Sequence, residues 1–289
     1  MKKLNLEYEI VGDGTTTLII ESGIGGSFYN WKPLVNKIKE SFTIVLYHRS
    51  GYGKSQSSNE PRTTRNIASE LHSLTEKIGV KEKFVLLGHS FGGLCAQHFA
   101  KMYPNQLKGV VLVDSTSHNF QQLYDLDVPV MNSMISIEKM VESCLTNSEL
   151  SQQELQVKYT DMLTEYSKKA SDRDAKGMEE FVTNPRLYKT TAAEFENWGT
   201  SSADIKNSGV FPNVPLIVIA RDKEFAAKPW LDHSIPKEEA ALYEDVWRDL
   251  QVELSELSTK GELIIAENSD HEVHIDRPDI VIQSLDQFF

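Results

Sequence analysis

Six stretches of the chain string together β-branched and aliphatic residues: TTLIIESG, FTIVLYHRSGYG, KFVLLGHSFGG, LKGVVLVDS, VPLIVIARD and ELIIAENSDH. Several of them run into glycine-containing loops, and longer segments with helical spacing separate them. Near-continuous apolar runs fit strands covered on both faces, and their alternation with helices predicts a mostly parallel, doubly wound α/β sheet flanked by helices. The first segment, LNLEYEIVGDG, alternates polar and apolar positions and ends in a turn signal. That pattern predicts an edge strand joined to the next by a hairpin-like turn.

Between Ser115 and about Pro212 the strand pattern stops. Segments such as SIEKMVESCL, SQQELQVKYTDMLTEYSKK and AEFENWG take over, all with helical spacing, and Ser148 is the expected cap of the second. A strand pattern resumes at Pro215, so the helical stretch reads as an insertion between two strands of one sheet; a separate helical domain would leave the final strands without a sheet. The expected organisation is a core over residues 1–118, a helical cap insertion over 119–209 and the remainder of the core over 210–289.

Charge narrows the partners. A net charge of -12 with no local Lys/Arg cluster would repel a phosphate backbone, so nucleic acid is not an expected partner. The opening MKKLNLEYEIVGDG has no continuous apolar run behind its lysines, and no later run is long enough to cross a bilayer. A cytoplasmic protein acting on a small molecule, with no membrane partner, is expected; oligomeric state is left open. Cys95 and Cys144 are too few for a disulfide framework and too far apart for a short metal-ligand pair, so both are expected to be reduced.

Gly88-His89-Ser90-Phe91-Gly92 matches G-x-S-x-G and falls between a strand and a helix. A sharp turn there would expose the Ser90 hydroxyl at the carboxyl edge of the sheet, as a nucleophile needs. A serine hydroxyl is a weak nucleophile and requires an adjacent base, normally a histidine held by a carboxylate. His271, in the loop after the last apolar run, is the best-placed imidazole. His274 reads more simply as a packing or surface residue, and His89 as a structural one turned away from Ser90. A metal site built from His271, His274 and Asp276 would lack a third imidazole or a thiol, so neither metal nor organic cofactor is expected.

With these residues in place the chain resembles the α/β-hydrolase superfamily over most of its length outside the cap. GHSFGG matches the nucleophile elbow, ESGIGGSFYNW the oxyanion loop, YHRSGYGKS the loop after the next strand, and SDHEVHIDRP the histidine loop. The resemblance implies oxyanion donors at the backbone N–H groups of Phe91 and Ile24, the latter from aligning Ser22-Gly23-Ile24 with the family's His-Gly-X; Ser22 departs from that pattern. It also implies an acid at one of two places. After VPLIVIA the family usually has Gly-x-x-Asp, but here Lys223 stands at the matching position and Asp222 one residue early. The alternative is Asp114, which ends the strand after the nucleophile helix. Relatives with similar DRAGYG, PRT, ELH and LVD segments lack the later acid, which favours Asp114.

The expected activity is a serine hydrolase acting on a small carboxylic ester through Ser90, Asp114 and His271. Members of the superfamily that open epoxides or displace halide carry aspartate at the elbow, which Ser90 argues against. An amidase, a thioesterase, a carbon–carbon bond hydrolase or a non-catalytic ligand binder are the alternatives. Phe120, Leu123, Tyr124, Met131, Met134, Ile135, Met140 and Trp198 are the candidate cap residues lining the entrance. The acidic stretch KEEAALYEDVW reads as a solvated helix with no functional part.

Overall fold

The computed structural model describes residues 5–288 of the chain. All six apolar runs are strands, preceded by β1 (Tyr8–Val11): β2 (Thr16–Glu21), β3 (Phe42–Tyr47), β4 (Phe84–His89), β5 (Leu107–Val113), β6 (Leu216–Arg221) and β7 (Gly261–Ala266). They form one sheet in the order β1-β3-β2-β4-β5-β6-β7, parallel except for β1. β1 is at the edge, as its alternation requires, but it pairs antiparallel with β3 (Tyr8 opposite Tyr47, Val11 opposite Ile44) and not with β2 in a hairpin. The reason is geometric: β3 and β4 occupy both sides of β2 as parallel neighbours.

Successive side chains of a strand face opposite sides, and the central strands bury both sets. Leu18, Ile20, Ile44, Leu46, Val85, Leu87, Val111 and Val113 enter one apolar layer. Ile19, Val45, Tyr47, Leu86, Val110 and Leu112 enter the other. Two-sided burial is why these runs read as continuous rather than alternating.

Eight helices, from Gln121–Tyr124 to Trp198–Asn207, and no strand lie between β5 and β6 among the described residues. Ser148 is the last residue of the helix Ile137–Ser148 and caps nothing after it. Ser151 caps the next helix, Gln152–Lys158, in a reciprocal box with Glu154: the Ser151 N–H donates to the Glu154 carboxylate at 2.8 Å and the Glu154 N–H to Ser151 Oγ at 3.3 Å. The box requires Glu or Gln three residues after the cap, which Ser151 has and Ser148 lacks. The helical insert is tied to the core by Thr64 N–H donating to Ser201 Oγ (3.1 Å) and by Arg65 pairing with Asp204 (3.2 Å).

The helix Phe91–Met102, immediately after β4, presses against the end of β2. A Cβ on Gly92 would lie 2.1 Å from the Glu21 carbonyl oxygen and 2.4 Å from that of Ser22, both backbone atoms that cannot step aside. Gly92→Ala is expected to lower unfolding free energy by about 2 kcal/mol, the range of an overpacked core, measured by urea denaturation followed by circular dichroism.

Candidate active site

Ser90 joins β4 to the helix Phe91–Met102 with φ 53° and ψ -126°, a left-handed backbone that a residue with a Cβ rarely adopts. Hydrogen bonds hold it there from both sides. Its N–H donates to the Val113 carbonyl (3.2 Å), and its carbonyl accepts from Gly93 (2.9 Å), Thr116 (3.0 Å) and Leu94 (3.3 Å). β4 runs between β2 and β5, so the loops after those two strands flank the serine. The strain is thus fixed by the sheet itself.

Asp114 directly follows β5, also with positive φ (39°), and is fully buried. Its carboxylate accepts four bonds. Oδ1 takes the Arg221 N–H (3.1 Å) and Trp247 Nε1 (2.9 Å); Oδ2 takes Arg221 Nη1 (3.1 Å) and His271 Nδ1 (2.6 Å). Burial alone would raise this carboxyl, but the Arg221 guanidinium and the His271 and Trp247 donors outweigh it and hold the group well below the usual carboxylate range. A carboxylate only accepts, so His271 carries its proton on Nδ1, which leaves the lone pair of the neutral ring on Nε2. Asp222 is elsewhere occupied: it caps the helix Lys223–Asp232, accepting from Glu224 (3.0 Å) and Phe225 (3.2 Å), with Asn268 on its other oxygen (3.0 Å).

β7 is three strands away from β4, about 14 Å at the usual interstrand spacing, and His271 covers that gap on the loop after Ala266. His89 Nε2 secures it by bonding the His271 carbonyl at 3.0 Å. His89 is buried, but it is not turned away from Ser90 as the sequence suggested: both residues line one chamber. The helix Lys237–Ser255, which contains the acidic stretch, is not merely solvated, contrary to expectation. Its Glu244 is buried and grips Arg221 through both oxygens (2.8 and 2.9 Å), and its Trp247 is the donor to Asp114. A stripe of Ala240, Trp247, Leu250 and Leu254 was the available signal that one face of this helix is inside.

The loop after β2 is held by Arg49, a residue to which sequence reasoning gave no role. Arg49 Nη1 donates to the Ser22 carbonyl (2.6 Å) and Nη2 to the Gly23 carbonyl (2.9 Å). Across a trans peptide the N–H points opposite to the C=O, so the Ile24 N–H faces away from Arg49. The Gly25 N–H is taken by Tyr52 Oη (2.9 Å) and the Gly26 N–H by the Gly23 carbonyl (3.2 Å). Among the described residues the Ile24 and Phe91 N–H groups have no partner, and Phe91 opens a helix, where amides favour negative charge. Gly23 lets this loop close on the elbow: a Cβ there would lie 3.3 Å from Ser90 Cβ.

Ser90 and His271 line a chamber of about 190 Å³ with Ser22, Gly23, Ile24, His89, Glu272 and His274. A larger cavity of about 770 Å³ shares Ser27, Asn30 and His274 with it and is walled by Met162, Tyr166, Met178, Phe181, Val182 and Ile275. None of the cap residues expected to line the entrance borders either space. Phe120 and Trp198, with Tyr124 and Met140 against them, surround Phe91 and Leu94; Leu123 packs with Trp247 and Leu250; Met131 packs with Val128, and Ile135 against them; Met134 is exposed. Phe120, Trp198, Tyr124 and Met140 thus spend their apolar surface on the contact with the helix Phe91–Met102, and Leu123 on the helix Lys237–Ser255. The donors His271, His274 and Asp276 do not converge, since Asp276 Oδ2 accepts the Asp270 N–H (2.9 Å); His89, Glu272 and His274 do.

A family model described as the alpha/beta hydrolase fold matches residues 16–198. The uncharacterized protein YqjL of Bacillus subtilis is 26% identical over 274 residues, 93% of this chain and 82% of that protein. An esterase from Thermogutta terrifontis superposes with a TM-score of 0.59 at 18% identity, covering 99% of this chain and 93% of its own. The N-formylmaleamic acid deformylase of Pseudomonas putida S16 does so with 0.63 at 15%, covering 98% and 97%. At these identities the two solved structures are alike in fold.

Removing the cation at the base of the site should be costly. Arg221→Met leaves Asp114 and Glu244 buried without their common partner and is expected to cost about 3–5 kcal/mol of unfolding free energy, read from urea titration. Lys223→Met, which breaks the exposed pair with Asp245, should leave the urea midpoint unchanged.

Proposed function

Because the chain belongs to the α/β-hydrolase fold family, we propose that it is a serine hydrolase that cleaves a small carboxylic ester through an acyl-enzyme intermediate. Ser90 is the nucleophile, His271 the general base and then acid, Asp114 the carboxylate that orients the imidazole, and the Ile24 and Phe91 N–H groups the oxyanion donors. The observation that carries this reading is the 2.6 Å bond from His271 Nδ1 to the buried Asp114, on an imidazole that shares one chamber with Ser90.

Ser90 Oγ adds to the ester carbonyl carbon as its proton passes to His271 Nε2. The negative charge that develops on the carbonyl oxygen is met by the two free amides, preorganised at no cost when the reaction occurs. His271 gives the proton to the departing alcohol as the C–O bond breaks, leaving the acyl group on Ser90. Water, losing a proton to the same nitrogen, then adds to the acyl carbon, and Ser90 leaves as a hydroxyl with release of the carboxylic acid.

A fluorophosphonate probe is expected to label the protein, and Ser90→Ala to abolish both labelling and hydrolysis of p-nitrophenyl esters. Failure of the unmutated protein to label would support a ligand-binding protein on a hydrolase fold. Asp114→Asn is expected to lower kcat by about 10³-fold or more, in the range seen when a triad loses its orienting carboxylate, against less than tenfold for Asp222→Asn. The reverse order in steady-state kinetics would transfer the acid's role to Asp222.

A further inference from the structure

Three side chains that the proposed acyl transfer does not use share the reaction chamber. His89, Glu272 and His274 each place a donor atom within 4.8 Å of the other two, and all three line the space that holds Ser90 and His271. The protonation pattern suits a ligand set. His89 Nε2 lies 3.0 Å from the His271 carbonyl, which can only accept, so Nε2 bears the proton and Nδ1 keeps its lone pair. A metal-bound imidazole is commonly held in this way, by a carbonyl on its other nitrogen.

His274 is the second observation. It is 4% exposed, and neither ring nitrogen has a hydrogen-bond partner, an omission that costs about 1–3 kcal/mol for a buried polar group. The ring cannot readily turn to find one, because it is stacked on Trp31 with centroids 3.8 Å apart and planes 9° from parallel. The exposed Glu272 carboxylate is 3.5 Å from its Nε2.

We infer that His89, Glu272 and His274 form a binding site for a divalent transition-metal ion of the zinc class, and that its occupancy reversibly blocks the reaction chamber. Two imidazoles and one carboxylate favour zinc, cobalt or nickel over magnesium or calcium, which prefer all-oxygen shells. Bonds of about 2.0–2.2 Å place donors about 3.3 Å apart in a tetrahedral site, so the three groups need to close modestly, a movement the exposed Glu272 side chain can supply. Glu272 follows His271 in the chain and His89 holds the His271 carbonyl, so an ion bound here fixes the histidine loop and fills the space the ester carbonyl would enter.

The blocking rests on the proposed hydrolase activity, but binding does not, and the two are measured separately. Calorimetric titration of the Ser90→Ala protein with Zn²⁺ is expected to give one site per chain, weakened at least tenfold by Glu272→Gln and by His274→Phe, and Co²⁺ to give an intense visible band of a four- or five-coordinate site. On the unmutated protein Zn²⁺ should inhibit ester turnover, a chelator should restore it, and Glu272→Gln should raise the half-inhibiting concentration by the same factor as it weakens binding. Zn²⁺ affinity unchanged in both variants would overturn the site, whether or not esters are turned over. Stoichiometric binding to the active protein with undiminished turnover would overturn the blocking.

Discussion

A single buried guanidinium fixes the geometry on which the site depends. All five N–H groups of Arg49 are used: Nε and Nη2 on the two oxygens of Glu194 (3.1 Å each), Nη1 on Glu21 (2.8 Å) and the Ser22 carbonyl, and Nη2 also on the Gly23 carbonyl. A charge taken this far from water is tolerated only when every donor is paired and the countercharge is close. Those partners come from the end of β2, its following loop and the helix Pro185–Glu196 of the insert. Tyr52 adds to the bond, donating to Glu194 (2.6 Å) and accepting from Gly25. The insert therefore cannot move away from the loop after β2 without depriving a buried ion of its countercharge. Such a network contributes little net stability and much geometric definition.

The opposite side of the site is built on the same principle with different atoms. Arg221 lies between two carboxylates, Asp114 and Glu244, and its guanidinium is 4.4 Å from the centre of the Trp247 ring, whose N–H returns to Asp114. Ser90 and Asp114, non-glycine residues with positive φ that directly follow the adjacent strands β4 and β5, lie at this edge of the sheet. Each is pinned by backbone bonds to a neighbouring strand, Ser90 to Val113 and Asp114 to Ile219 (2.7 Å). Strain of this kind persists only where its surroundings over-determine it, and here the surroundings are a parallel sheet buried on both faces.

What could be read from the sequence follows the range of the interactions involved. Six strands, the elbow at Ser90 and the loop of His271 are written in contiguous residues, and they were legible as such. The preference for Asp114 came from likeness to relatives, and its bond to His271 spans 157 positions of chain that no local pattern encodes. Arg49 with Glu194 (145 positions) and Arg221 with Glu244 were invisible for the same reason: a charged residue on a helix looks solvated until its partner is known. The cap expected at Ser148 is at Ser151, whose three-residue spacing to Glu154 is itself a local signal. The edge position of β1 was legible in its alternation, but its partner was not, because β3 and β4 take both sides of β2 and adjacency in sequence is not adjacency in this sheet.

The division of apolar residues in the insert bears on how a substrate would be read. Phe120 and Trp198 spend their surface against Phe91 and Leu94 and so brace the helix that carries the elbow. The helices Thr160–Ser167 and Asp172–Val182 instead contribute Met162, Tyr166, Met178, Phe181 and Val182 to the larger cavity. A space of about 770 Å³ is within the range of a drug-sized ligand, whereas the chamber at Ser90 is below it. On the proposed reading, the small chamber takes the reacting carbonyl and little else, and the bulk of the substrate extends past Ser27, Asn30 and His274 into the wider, methionine- and aromatic-walled space. Discrimination between substrates would then be set by the wall of the larger cavity, where Phe181 also packs edge-on against Tyr52 of the Arg49 cluster (ring centroids 6.0 Å), so that this part of the wall is coupled to the geometry of the loop after β2.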